Sequence, residues 1–190
     1  SNVSGFQKRL ALLLGINNFE SRTLHTINTG NEGDGEGFHV IEHLLLRPIS
    51  DELGEALLSP KVSGDLYPDP YSFIVTIIFP SGFERDFQDE NSVPTALTEA
   101  GRFQFESFRI HVKQLIRREL PAHVLFHLIW MDRDTNLASP AGTPSLNNLE
   151  TTYQAHLEAK ADDSVSINDK ILARNALVDV LNQAFDPPGP

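Results

Sequence analysis

His39, Glu42 and His43 fall within five residues, His39-Val40-Ile41-Glu42-His43, and two imidazoles with a carboxylate at that spacing can do metal chemistry. On a helix, positions i, i+3 and i+4 share one face. The two imidazoles would then hold a zinc ion while the Glu42 carboxylate activates a bound water for hydrolysis. A third ligand has to come from elsewhere, and Glu119, on a predicted helix, is the candidate. On a strand the same string behaves differently, because successive side chains alternate sides. His39 and His43 would share a face, Glu42 would point away, and the three could not act as one centre.

The flanks favour the strand. Residues 29–37, TGNEGDGEG, make a turn-rich loop of the hairpin type before the string, and Pro48 cuts the apolar run short after it. The H-x-x-E-H order is the signature of the inverted-motif metallopeptidases. The spacing of Glu119 resembles the third-ligand position of the pitrilysin-like enzymes, which would imply zinc held by His39, His43 and Glu119, with Glu42 as the base. The chain departs from that pattern at Arg47-Pro48, where the family has a glycine and a small hydroxyl residue. Those enzymes also build the site in a considerably larger domain. A zinc-dependent metallopeptidase using these four residues is therefore the alternative reading. A half-buried strand with hydrogen-bonded polar positions is the preferred one.

Other constellations are weaker. His123 and His127 share a face of a predicted strand and could join a metal site, but histidines beside a core are more often structural. Glu32, Asp34 and Glu36 could offer oxygens to calcium, yet they lack the ordered spacing of a calcium loop. The string Glu84–Asn91, ERDFQDEN, reads as a solvated loop. There is no G-x-S-x-G string, and the acidic glycine-rich loop would repel a phosphate. The 190 residues include no cysteine, which excludes disulfides and thiolate chemistry. The sequence thus predicts no catalytic centre, no cofactor and no metal.

The elements that position these residues read as α+β. Residues 5–15 form a helix with Phe6, Leu10, Leu13 and Leu14 on one face and Gly15 as its stop. A hairpin over 22–47 brings RTLHTINT against the His39 run. SDELGEALL (50–58) could form a short helix. Strands follow at 71–79 and 123–131, separated by a long helix over 98–120 whose apolar stripe is Phe105, Phe108, Val112, Leu115 and Ile116. Strand, helix, strand in that order predicts two neighbouring strands with the helix packed on a small mixed sheet. Residues 1–132 form this domain, 133–145 a linker, and 146–185 a C-terminal helical hairpin. Its apolar faces are Leu146, Leu149, Tyr153 and Leu157, then Ile171, Leu172, Leu177, Val178 and Leu181.

The formal charge of −11 disfavours a phosphate backbone, so no nucleic acid is expected as partner. No apolar run approaches the roughly 20 residues that span a bilayer, so no membrane insertion is expected.

Several segments resemble baseplate and tail-associated proteins of phages and contractile injection systems. A helix ending IRREL, then Pro121-Ala122-His123, then a strand closing in Trp130-Met131-Asp132 is similar to a module of those proteins. DPYSFIVTIIFP (69–80), GFHVIEHLLLRP (37–48), FQKRLALLLGI and ARNALVDVLN fit the same pattern. The acidic stretch from Glu84 to Pro94 interrupts the strand-to-helix link, a departure from it. Such proteins are usually much longer, so the chain would be one domain of one. The resemblance implies a non-enzymatic subunit whose partners are other protein subunits, located in the cytoplasm or in an assembled tail-like particle. From the residues themselves, Pro121 should stop the helix and extend Leu120, and His123 should bond a neighbouring backbone group.

Overall fold

The computed structural model describes residues 4–16, 23–24, 36–49, 54–62, 65–66, 69–82, 99–133 and 143–185. In chain order the elements are α1 (Gly5–Leu14), β1 (His39–Glu42), a 3-10 turn (His43–Leu46), β2 (Lys61–Val62) and β3 (Asp65–Leu66). β4 (Ile74–Pro80) follows, then a 3-10 segment (Glu99–Gln104), α2 (Glu106–Glu119), β5 (Leu125–Met131), α3 (Leu146–Ala161) and α4 (Ile167–Phe185). The class is α+β, as the alternation of patterns implies.

β4 is the centre of a three-stranded sheet ordered β1-β4-β5. Its sequence, IVTIIFP, lacks polar alternation because both of its faces are covered; only Val75 is not fully buried. β1 lies antiparallel to it and β5 parallel, with α2 in the connection between β4 and β5. The register sorts the side chains into two faces. Val40, Ile77, Phe79, Leu128 and Trp130 face one way, and His39, Ile41, Thr76, Ile78, His127 and Ile129 face the other.

α1 and α2 cover the first face. Leu10, Ala11 and Leu14 of α1 and Val112, Leu115 and Ile116 of α2 join Phe38, Ile77, Phe79 and Phe103 in one buried cluster. Phe79 stacks on Phe38 and Trp130 at 5.0 Å, and the Arg109 guanidinium lies 4.6 Å from the centre of the Trp130 ring. Each fully buried aliphatic side chain here contributes on the order of 2 kcal/mol. Gly15 ends α1 in the left-handed conformation, φ 66°, and its N–H caps the last turn.

α3 and α4 cover the second face. Leu146, Leu149, Leu177, Val178 and Leu181 share a cluster with Ile41, Leu46, Leu58, Tyr71, Ile78 and Met131. The helical hairpin therefore completes a three-layer arrangement, helices on both sides of the sheet. Two asparagines of α4 hold the segment 56–59. Asn175 accepts from the Ala56 N–H, while Asn182 accepts from the Ser59 N–H and donates to the Leu57 carbonyl.

Several expectations are corrected. The helix predicted over 98–120 begins at Glu106, after a 3-10 segment, and Phe105 is its exposed N-cap rather than a member of the stripe. Leu13 and Leu172, expected in the apolar faces, are exposed. Residues 54–58 of the short helix predicted at 50–58 are not helical, and 50–53 lie outside the described residues. So do 25–35, so that β1 alone represents the hairpin predicted over 22–47. Pro121 ends α2 as expected, with Leu120 extended at φ −79°, ψ 143°. His123 sets its ring edge-on to Phe73 at 5.4 Å instead of bonding a backbone group.

Candidate functional site

The His39–His43 string is a strand that runs into a 3-10 turn, not an α-helix. Strand alternation buries His39 and Ile41 and leaves Glu42 exposed. The three side chains are never on one face, and each of the four residues of the zinc reading has its own surroundings.

His39 belongs to a buried pair. Its Nε2 lies 2.7 Å from Glu150 Oε1, and the same oxygen accepts the Leu24 N–H at 2.6 Å. Both side chains are under a tenth exposed, so β1 is tied to α3 through a hydrogen bond sheltered from water. Glu119, at the end of α2, pairs instead with Arg9 of α1 at 2.6 Å and with Arg118 at 3.2 Å.

His43 is fully buried at the start of the 3-10 turn. Its Nδ1 is 2.8 Å from the Pro70 carbonyl and its Nε2 is 2.7 Å from the Thr76 hydroxyl. A carbonyl only accepts, so Nδ1 carries the proton, and Nε2 accepts from the threonine. That geometry suits the neutral ring. Burial, partly offset by the Pro70 bond and reinforced by His127, pushes its pKa down to about 4. His127 stacks beside it at 6.1 Å, nearly parallel, and Phe185 packs on both rings. Burial lowers the pKa of His127 as well. His123, its expected companion, lies outside the strand on the protein surface. Glu36 pairs with Arg102, while Glu32 and Asp34 lie outside the described residues. Among the described residues no group of three or more His, Asp or Glu side chains could hold a metal ion.

Three polar residues that hydrophobic periodicity missed are buried on the helical hairpin: Glu150, His156 and Arg174. Arg174 Nε donates to the Leu46 carbonyl at 2.8 Å, and its Nη1 donates to the Ala56 carbonyl at 2.9 Å. The Glu55 carboxylate lies 3.4 Å from Nη1. Arg174 thus closes the 3-10 turn, whose last carbonyls have no helix to continue into. The available signal was phase: 174 falls on the stripe of 171, 178 and 181, and 150 lies four residues after Leu146.

A second feature is the outer side of β5. No strand lies beyond it among the described residues. Leu125 N–H donates to the Phe73 carbonyl, and the Met131 carbonyl accepts from Ser81. Odd-numbered residues therefore turn their backbone groups toward β4, and those of Phe126, Leu128 and Trp130 face the open side. A groove of about 680 Å³ runs between this edge and α2, rimmed by Glu106, Arg109, Lys113 and Arg117. Phe126, Leu128 and Trp130 form its apolar floor and are only partly buried.

No known family model matches the chain, and no curated protein matches it. Among the described residues no helix is long and apolar enough to cross a membrane.

Proposed function

We propose that the chain is a non-enzymatic assembly domain that joins other protein subunits, as a baseplate component of a phage-tail-like contractile injection system. The observation that supports this reading is the open edge of β5. A seven-residue apolar edge strand is a template for pairing, and proteins that do not use such an edge blunt it with charges, proline or a covering element. β5 carries no Lys, Arg, Asp, Glu or Pro in its own sequence, LFHLIWM. An extended segment from another subunit would add a fourth strand against Phe126, Leu128 and Trp130. Lys113 and Arg117, both exposed, would select an acidic flank on that segment. The buried histidines support the same reading by being consumed in packing: each ring of the His39–His43 string has a protein partner.

The test is co-expression of the tagged chain with sheath, tube and spike subunits encoded beside it. A stable complex with one of them is expected, and the double variant Lys113→Glu, Arg117→Glu should fold normally and lose it. Failure to bind any of these subunits, or a complex indifferent to the charge reversal, overturns the reading.

A further inference from the structure

The groove beside β5 has two different ends, and they set the direction of the strand it can receive. α2 runs back between two parallel strands, so its first turn lies beside the end of β5 and its last turn beside the start. Arg109 fixes the level. Its guanidinium is 4.6 Å from the centre of the Trp130 ring and donates to the Ser81 carbonyl just after β4. From Arg109 to Arg117 the helix rises roughly 12 Å, and from Trp130 back to Phe126 the strand covers roughly 13 Å. Lys113 and Arg117 therefore stand level with Leu128 and Phe126, while Glu106 stands at the Trp130 end. All three are exposed, and the two cations pair with no carboxylate among the described residues.

The outward N–H and C=O groups of Phe126, Leu128 and Trp130 have no partner among the described residues. In an antiparallel pair, such residues exchange both bonds with the residues directly opposite, and opposite side chains share a face. Three alternate residues of an incoming strand would thus hang their side chains into the groove against α2. Antiparallel addition also suits the other face of β5. There Leu125 is 37% exposed and His127 and Ile129 are only partly buried, whereas parallel pairing belongs where both faces are covered.

Resting on the reading that this edge pairs with another subunit, we infer that the incoming segment runs antiparallel to β5 and carries, from its N-terminal end, two alternate apolar residues and then an Asp or Glu. The apolar residues lie opposite Trp130 and Leu128, where Ile110 of α2, 48% exposed, lines the groove between its charged ends. The carboxylate lies opposite Phe126, within reach of Lys113 and Arg117. Placed at the other end it would meet Glu106. A second copy of β5 does not fit this description. LFHLIWM has no carboxylate, and pairing two copies would bring a second Lys113 and Arg117 onto the same face of the joined sheet. The occupant is a segment of a different protein, held by strand addition.

The experiment measures binding of dye-labelled, end-blocked heptapeptides to the whole chain by fluorescence anisotropy. In the first peptide threonines alternate with Val, Ile and Glu in that order; the second has the same composition with Glu, Ile and Val. The first should bind about fivefold more tightly, the scale of one good exposed charge pair. Methylating the backbone nitrogen of its Ile, which faces β5, should abolish binding, and methylating the next threonine should not. In the Lys113→Glu, Arg117→Glu double variant the first peptide should lose its advantage, and a peptide with Lys in place of Glu should bind instead. Light scattering should find the unliganded chain monomeric. Equal or tighter binding of the reversed peptide, still blocked by the Ile methyl group, overturns the assigned direction and leaves the open-edge reading standing. Binding indifferent to methylation, no binding of either peptide at millimolar concentration, or a dimer that excludes both overturns the assignment and the open-edge reading together.

Discussion

Acid should loosen this fold chiefly through His43, and the size of the effect follows from its two hydrogen bonds. A proton added to Nε2 would face the Thr76 hydroxyl, which would have to turn its own hydrogen into the core, while Nδ1 is already committed to the Pro70 carbonyl. The folded chain therefore resists protonation down to about 4, whereas the unfolded ring titrates near 6.5. Between those values the unfolded chain holds the extra proton, so stability is complete above the upper one and is lost as pH falls toward the lower. Linkage for one such site gives a loss of about 2 kcal/mol between about pH 7 and pH 5. His127 and His156 are shifted the same way and add to the slope. Urea unfolding of the native chain and of His43→Asn at both pH values isolates the term. Asn keeps a donor for Pro70 but does not titrate. The variant should be less stable at neutral pH, and its loss on acidification should be smaller by about 2 kcal/mol. Equal losses in the two proteins would refute the argument that the buried ring is neutral in the fold.

Glu150→Ala would leave the Leu24 N–H and His39 Nε2 without their shared acceptor. The expected cost is about 3 kcal/mol by urea unfolding, and a change below about 1 kcal/mol would show that neither bond is sheltered. Phe73 sits at φ 58°, a left-handed backbone, with its ring 65% exposed. There Phe73→Gly should be more stable than Phe73→Ala by about 1 kcal/mol, the reverse of the ordinary preference for alanine over glycine. The opposite order would mean that the strain is absent in solution. Metal analysis of the purified chain should find substoichiometric zinc, unchanged in His43→Ala; one zinc per chain lost in that variant would restore the peptidase reading.

What was legible in the sequence is what hydrophobic burial writes. β4 could be read because a strand covered on both faces becomes a continuous β-branched run, and α2 because Val112, Leu115 and Ile116 keep a helical period. That β4 and β5 are neighbours in one sheet followed from the helix between them; that they run parallel is what the structure adds. Legibility failed where burial is polar. Glu150 and Arg174 occupy core phases of α3 and α4, but a charged letter reads as surface unless its partner is known, and each partner lies far along the chain: His39, 111 residues from Glu150, and Leu46, 128 residues from Arg174. The His39–His43 string misleads for the same reason in reverse. Its residue types suggest a metal, and only the change from strand to 3-10 turn at His43 shows that the two rings serve different partners.

These polar anchors have a structural logic that apolar stripes cannot supply. Ile171, Leu177, Val178 and Leu181 would bury comparable area if α4 slid along the sheet by one helical turn, about 5.4 Å. Hydrophobic contact is non-directional and would penalise that shift weakly. The bonds of Arg174, Asn175 and Asn182 would not survive it, because the Leu46, Ala56 and Leu57 carbonyls and the Ala56 N–H are fixed points. His39 with Glu150 does the same for α3. Polar contacts at three places along the hairpin thus hold one register of the second helical layer. Arg174 carries most of this fixing: Nε holds the Leu46 carbonyl, Nη1 holds the Ala56 carbonyl, and the buried Glu55 carboxylate lies beside the same guanidinium.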